Sequence, residues 1–251
     1  MKVIVEDTYE AISKRAAEDL LMVLQGLDKA LVCVASGASP AGLYKELVHL
    51  VETSGMDTSL WHFVGLDEWK GMDGSDEGSC RDQLNKQLFT PLNVEEHRIC
   101  FFNGRAEDLD SECQGVEKYI QQFGHIDVAI LGIGVNGHIG MNEPGTPASL
   151  RSHVASIHAS TQQIGQKYFK QASKLDTGLT LGLATLLESN HLMLLASGAS
   201  KAKSIDEMFN GPQSEEMPAS LLRDHVNLVV YLESEAAMYL QKHAQETLNG
   251  R

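Results

Sequence analysis

Short runs with no polar alternation constrain this fold most. Residues 30–35 read ALVCVA, 126–133 read IDVAILGI and 191–196 read HLMLLA. A strand with one wet face alternates apolar and polar positions. A run without alternation belongs in a sheet covered on both faces, the habit of parallel strands. Between these runs lie segments with apolar residues at three- and four-residue spacing. The clearest spans residues 9–24, with Ile12, Ala16, Leu20, Val23 and Leu24 on one face and Thr8 as N-cap. Further helices are expected at about 41–51, 79–89, 111–123 and 233–247, and further strands at 1–5, 61–66, 98–102 and 228–232. Residues 179–187 suit either state. Strand and helix thus alternate. The order predicts an α/β fold: a doubly wound, largely parallel, Rossmann-like sheet with helices on both faces. No repeat, low-complexity tract or linker divides residues 1–251, so one domain is expected.

The ends of the runs carry the chemistry. The first passes through Ser36-Gly37-Ala38-Ser39-Pro40 into a helix, and residues 196–201 repeat ASGAS with Lys201 after it. A helix N-terminus has free amides and a dipole that favours negative charge. Ser36, Gly37, Ala38 and Ser39 are therefore candidates for holding a phosphate, with Lys201 beside it. The plainer reading is a pair of ordinary Ser-capped turns. Asp67-Glu68-Trp69 follows residues 61–66, at the sheet edge where ligands sit. Asp67 would equally serve as a helix N-cap. The second run ends in glycines around Asn136 and His138, then Asn142-Glu143-Pro144. Glycine lets backbone approach a ligand, and His138 exchanges a proton near neutral pH. Gly132, Gly134 and Gly137 spell G-x-G-x-x-G. His138 stands in the place of an apolar helix start there, so a dinucleotide site is not favoured. Residues 147–178 are polar, hold His153, His158, Lys167, Lys170 and Lys174, and read as a helix-and-loop lid.

A net charge of −14 argues against nucleic acid or an anionic membrane as partner. No apolar run reaches 18 residues and no signal segment opens the chain, so a cytoplasmic protein is expected. The four cysteines lack C-x-x-C spacing and read as reduced thiols. The histidines are too scattered to suggest a metal site.

Taken together, SGASP, LDEW, GIGVNGHIGMNEPG and SGASK resemble the glucosamine-6-phosphate deaminase family, from about Val3 to Tyr239. The specific element is Gly-His-Ile-x-x-Asn-Glu-Pro. The related 6-phosphogluconolactonases share the fold and the first loop. They typically carry Thr-Ala-Ser after Gly-His, and Asp-Glu-Arg where this chain has Asp67-Glu68-Trp69. The resemblance implies isomerisation of an amino-sugar 6-phosphate with loss of ammonia, needing no cofactor or metal. It implies Asp67 as the base at C2, His138 as the ring-opening group and Glu143 as its orienting carboxylate. Ser36, Gly37, Ala38, Ser39 and Lys201 would hold the phosphate. Lys167 falls where the family usually supplies an arginine, keeping the charge and losing the bidentate fork. Asn136 stands where many members have Asp. It accepts a hydrogen bond but cannot stabilise imidazolium by charge, so the imidazole pKa should be lower.

With Asp67-Glu68-Trp69, Asn136 resembles the galactosamine-6-phosphate isomerase branch, so either epimer of the phosphorylated amino sugar fits. His153 and Ala155 stand where hexameric members carry basic effector-binding residues, and no such activation is expected. Monomer and homo-oligomer are both compatible. Two rival readings are lactone hydrolysis on the same fold and a sugar-phosphate binder without catalysis. Asn136 admits the binder. The presence of Asp67, His138 and Glu143 together argues against it, because a binder needs neither base nor proton shuttle.

Overall fold

A computed structural model of the chain describes residues 1–240. Strand β1 (Lys2–Glu6), helix α1 (Tyr9–Gln25), β2 (Ala30–Val34), α2 (Ala38–Ser54) and β3 (Trp61–Gly65) open the order. Next come β4 (Asp67–Trp69), α3 (Cys80–Leu84), β5 (Ile99–Cys100), α4 (Leu109–Gln121) and β6 (Val128–Gly132). After them follow β7 (His153–Ser156), α5 (Ala159–Gly165), β8 (Thr177–Thr180) and α6 (Leu183–Leu187). The last described elements are β9 (His191–Ala196), α7 (Ala202–Asn210) and β10 (Leu228–Glu233).

Seven strands form one parallel sheet in the order β1-β10-β9-β6-β2-β3-β5. Alternate residues of each strand face opposite ways, and both faces are buried. On β2, Leu31 and Cys33 join a core with Cys113, Val116 and Ile120 of α4 and Ile205 and Met208 of α7. Ala30, Val32 and Val34 join the other core, with Ile12, Ala16 and Leu20 of α1 and Leu43, Tyr44 and Leu47 of α2. Two covered faces explain why the run ALVCV shows no alternation. The chain winds outward from β2 through β3 to β5. It then returns to β6 on the other side of β2 and winds outward again. Val32 pairs with Val128 across that reversal, and the loops leaving β2 and β6 part there, opening a crevice at their C-terminal ends.

Several local expectations change. Helix α2 starts at Ala38, not near residue 41, which makes Pro40 its third residue. Proline still costs nothing there, because the first four helical N–H groups have no intrahelical partner. The helix expected at 79–89 is α-helical only to Leu84 and continues as a wider π turn over Asn85–Phe89. The strand expected at 98–102 shrinks to Ile99–Cys100, and the ring of Phe101 lies over Gly65, in space a side chain would need. Residues 179–187 divide between the end of β8 and helix α6. Of the helix expected at 233–247, Glu233 instead ends β10, and residues 241–247 lie outside the described residues. Among the described residues no helix is long and apolar enough to cross a membrane.

The larger departure is a second sheet. Strands β4, β8 and β7 pair antiparallel beside the C-terminal edge of the main sheet, and the polar segment 147–178 supplies β7 and the start of β8. Asp67 is therefore a strand residue and not an N-cap. Capping falls to its neighbour. Glu68 is fully buried, and its carboxylate accepts the N–H groups of Trp69 (2.8 Å), Cys80 (3.0 Å) and Arg81 (2.9 Å). It ties β4 to the first turn of α3. Glu68→Ala is expected to strand two buried donors and one part-buried one and to destabilise the fold by at least about 2 kcal/mol, read from urea denaturation.

Candidate active site

The crevice between the β2 and β6 loops is a cleft of about 190 Å³. Its floor is the βα turn at residues 36–39, which enters α2 through Gly37 at φ 109°, a backbone state open to glycine and strained for other residues. Two tyrosines fix the turn. Tyr9 Oη donates to Ala38 O at 2.6 Å and accepts from Gly42 N–H at 2.7 Å; Tyr44 Oη donates to Ala35 O at 2.7 Å. The amides at the start of α2 are left to meet an anion.

The second ASGAS copy behaves differently. Gly198 also has positive φ, at 80°, but its N–H donates to Glu233 Oε2 at 2.7 Å. Its turn therefore sends only Lys201 into the cleft. Lys167 lines the same space from the segment after α5, with Nζ 4.9 Å from the centre of the Tyr168 ring. Burial, reinforced by Lys167, pulls Lys201 down to about 8. Two cations sharing a cleft are relieved by a bound anion.

Asp67 lines the same cleft. Burial pushes its carboxyl up to about 6, against a hydrogen bond from the Cys80 side chain that lowers it. Such a group is ionised at neutral pH and basic enough to take a proton.

His138 lines the cleft, while Asn136 and Glu143 stand behind it. Glu143 Oε2 accepts from Asn136 Nδ2 at 2.8 Å, and Asn136 Oδ1 lies 2.7 Å from His138 Nδ1. A carboxylate only accepts, so it turns the amide NH2 toward itself and the carbonyl toward the imidazole. His138 then carries its proton on Nδ1 and keeps a lone pair on Nε2. Glu143 itself is 3.6 Å from Nδ1, so the amide intervenes between ring and charge. Burial pulls the imidazole pKa down, Glu143 opposes, and Lys201 and His158 add to the lowering. The neutral form of the ring is thereby favoured. Gly134 makes room for it, since a Cβ at that position would overlap the imidazole.

All six candidate phosphate residues (Ser36, Gly37, Ala38, Ser39, Lys167 and Lys201) thus share one cleft with Asp67 and His138. Sequence reasoning missed three contributors. Thr161 Oγ1 lies 3.3 Å from His138 Nδ1, the His158 N–H donates to Glu143 Oε1 at 3.3 Å, and Cys80 borders Asp67. Thr161 and His158 sit in the segment read only as a lid, and Cys80 in a sequence without any cysteine pattern. Among the described residues, no group of three or more His, Cys, Asp or Glu side chains is arranged to hold a metal ion.

Fold and cleft define an α/β protein with a carboxyl, an imidazole, two lysines and a helix N-terminal turn at its topological switch point. The chain belongs to the glucosamine-6-phosphate isomerase/6-phosphogluconolactonase family, which it matches over residues 5–230. It is 35% identical over 238 residues to a glucosamine-6-phosphate deaminase of Bacillus velezensis, covering 94% of this chain and 99% of that one. Glucosamine-6-phosphate deaminase 1 of Bacillus subtilis is also 35% identical, with 94% and 98% covered. The structure of a monomeric glucosamine-6-phosphate deaminase superposes with a TM-score of 0.92 at 35% identity, covering 95% of this chain and 99% of that one. The 6-phosphogluconolactonase of Trypanosoma brucei shares the fold at a TM-score of 0.76 and 18% identity, with 95% and 98% covered.

A carboxyl held above its ordinary 3.8 disfavours the folded state once it ionises. That cost is absent below pH 3.8 and complete above about 6. Asp67→Asn is therefore expected to melt higher than the unchanged chain at pH 8, with the gap closing as pH falls through 6 toward 4, read by thermal denaturation across that range.

Proposed function

We propose that this chain converts an amino-sugar 6-phosphate to the ketose 6-phosphate with release of ammonia. The observation that carries the reading is the convergence of an anion loop, two lysines, an ionisable base and an imidazole of fixed tautomer in one cleft. The family membership and relatives named glucosamine-6-phosphate deaminase at 35% identity support it. The lactonase neighbours support the fold alone, at 18% identity.

In this reading the phosphate meets the amides of Gly37, Ala38 and Ser39 and the charge of Lys201. Residues 147–178 act as the lid that brings Lys167 over it. Nε2 of His138 takes the proton of the anomeric hydroxyl and returns it to the ring oxygen, which opens the sugar. The Asp67 carboxylate takes the proton from C2 while the aldehyde oxygen gains one given up by the ammonium, and return of the Asp67 proton to C1 leaves a C1 hydroxymethyl with C2 double-bonded to nitrogen. Water then displaces the nitrogen as ammonia. Asn136 and Glu143 touch no substrate and act by holding the ring.

We take glucosamine 6-phosphate as the substrate. Galactosamine 6-phosphate is the second reading, carried by Asn136 together with Asp67-Glu68-Trp69. Coupled ammonia assays on the two epimers side by side decide between them. Release from the gluco epimer is expected. Release from the galacto epimer alone favours the second reading. No release from either, with phosphate esters still bound, leaves a binding protein and removes the reaction.

The two shifted groups also fix a pH profile. Protonation of Asp67 removes the base below about 6, and loss of the Lys201 proton weakens phosphate capture above about 8. A plot of kcat/KM against pH is expected to be bell-shaped with limbs near those values. A flat profile from pH 5 to 9 would remove both groups from these roles.

A further inference from the structure

The proposed reaction gives no part to Tyr168, which lines the cleft from the turn Gln166–Tyr168 after α5. Its hydroxyl reaches the start of the anion loop. Oη lies 3.4 Å from the point that a Cβ on Gly37 would occupy, so the phenol stands against the glycine that leads into α2. The hydroxyl hydrogen-bonds no other described residue. An O–H in a cleft with no protein acceptor is available to a ligand. The backbone that presents it is fixed on several sides. Gly165 at the end of α5 lies against the Trp69 indole, in space that a Cβ would crowd, and the Tyr168 carbonyl fills the place of any side chain at Gly78. Gln166 ties down the other flank: its Nε2 donates to Gln171 O at 2.9 Å, and its Oε1 accepts from the Ser173 N–H at 3.1 Å.

We infer that Tyr168 is a phosphate-binding residue, whose O–H donates to the anion that the amides of residues 37–39 and Lys201 hold. The inference deepens the reading of that turn as the phosphate site and rests on it. Position selects the phosphate over the rest of a sugar, because the hydroxyl stands at Gly37, where the amide turn begins. Company selects it too. The Tyr168 ring has Lys167 Nζ 4.9 Å from its centre, so phenol and ammonium reach the cleft together. A lysine offers a point charge, and the adjacent O–H adds a directional donor beside it. It does so without a third positive charge, in a cleft where burial and Lys167 already pull Lys201 down.

The test measures the binding of inorganic phosphate by calorimetry to the full-length chain and to Tyr168→Phe, beside KM and kcat for glucosamine 6-phosphate. Loss of a hydrogen bond to a charged acceptor is expected to raise the phosphate Kd about tenfold and KM by a similar factor, with kcat within about twofold. An unchanged Kd overturns the inference. So does a fall in kcat at unchanged KM, which would place the hydroxyl at the reacting carbons and not at the phosphate. If Tyr168→Phe does not fold, the unchanged chain decides. With carbon-13 at tyrosine Cζ, the Tyr168 resonance is expected to move as inorganic phosphate is added to saturation, and a resonance that stays in place overturns the role. Calorimetry needs no turnover, so its result stands whatever the ammonia assay gives. Phosphate binding that Tyr168→Phe keeps in full removes this residue alone; an unchanged chain that binds no phosphate removes the phosphate site and the inference together.

Discussion

The cleft depends on a sheet that is covered on both faces. Helices α1 and α2 seal one side and α4, α6 and α7 the other, so backbone polarity emerges only at the strand ends. Of these ends, those of β2 and β6 are neighbours whose connections depart in opposite directions. The candidate groups enter from there, from the turn after β9 (Lys201), from the segment after α5 (Lys167) and from strand β4 of the small sheet (Asp67). The buried Glu68 carboxylate is the pin of that second sheet, since it organises the start of α3 and holds the strand that presents Asp67.

The site is built from opposed effects on charge. Burial alone would keep Asp67 protonated too far into the neutral range and Lys201 deprotonated too early. Hydrogen bonding from Cys80 moderates the first. Nothing among the described residues moderates the second, which leaves an anion to do so. At His138 the choice of Asn136 removes one charge from the relay without breaking its geometry. An amide transmits orientation from Glu143 to the imidazole but does not favour imidazolium.

How much could be read beforehand follows from the kind of signal each feature leaves. The main sheet was legible because burial on both faces erases alternation in ALVCVA and HLMLLA. The anion loop, Asp67 and the His138 motif were legible because each stands where an apolar run stops. The small sheet was not. Strand β4 is three residues long, and β7 and β8 sit in a polar segment where pairing, and not composition, makes them strands. The two ASGAS copies looked equivalent because the partner that distinguishes them, Glu233, lies 35 residues away in sequence from Gly198. Thr161 and Cys80 have no local pattern at all; only the fold brings them to His138 and Asp67.

The distribution of sign within the cleft has a further consequence. Lys167, Lys201 and Asp67 line one cleft, with Glu68 next to Asp67 in β4, inside a protein whose overall charge is −14. At distances beyond about 10 Å, salt screens such fields, and within that range the local arrangement dominates. A simple anion gains from the lysines alone, and a molecule that carries both signs of charge gains from the carboxylate as well. On this view the cleft selects a pairing of charges as well as a charge.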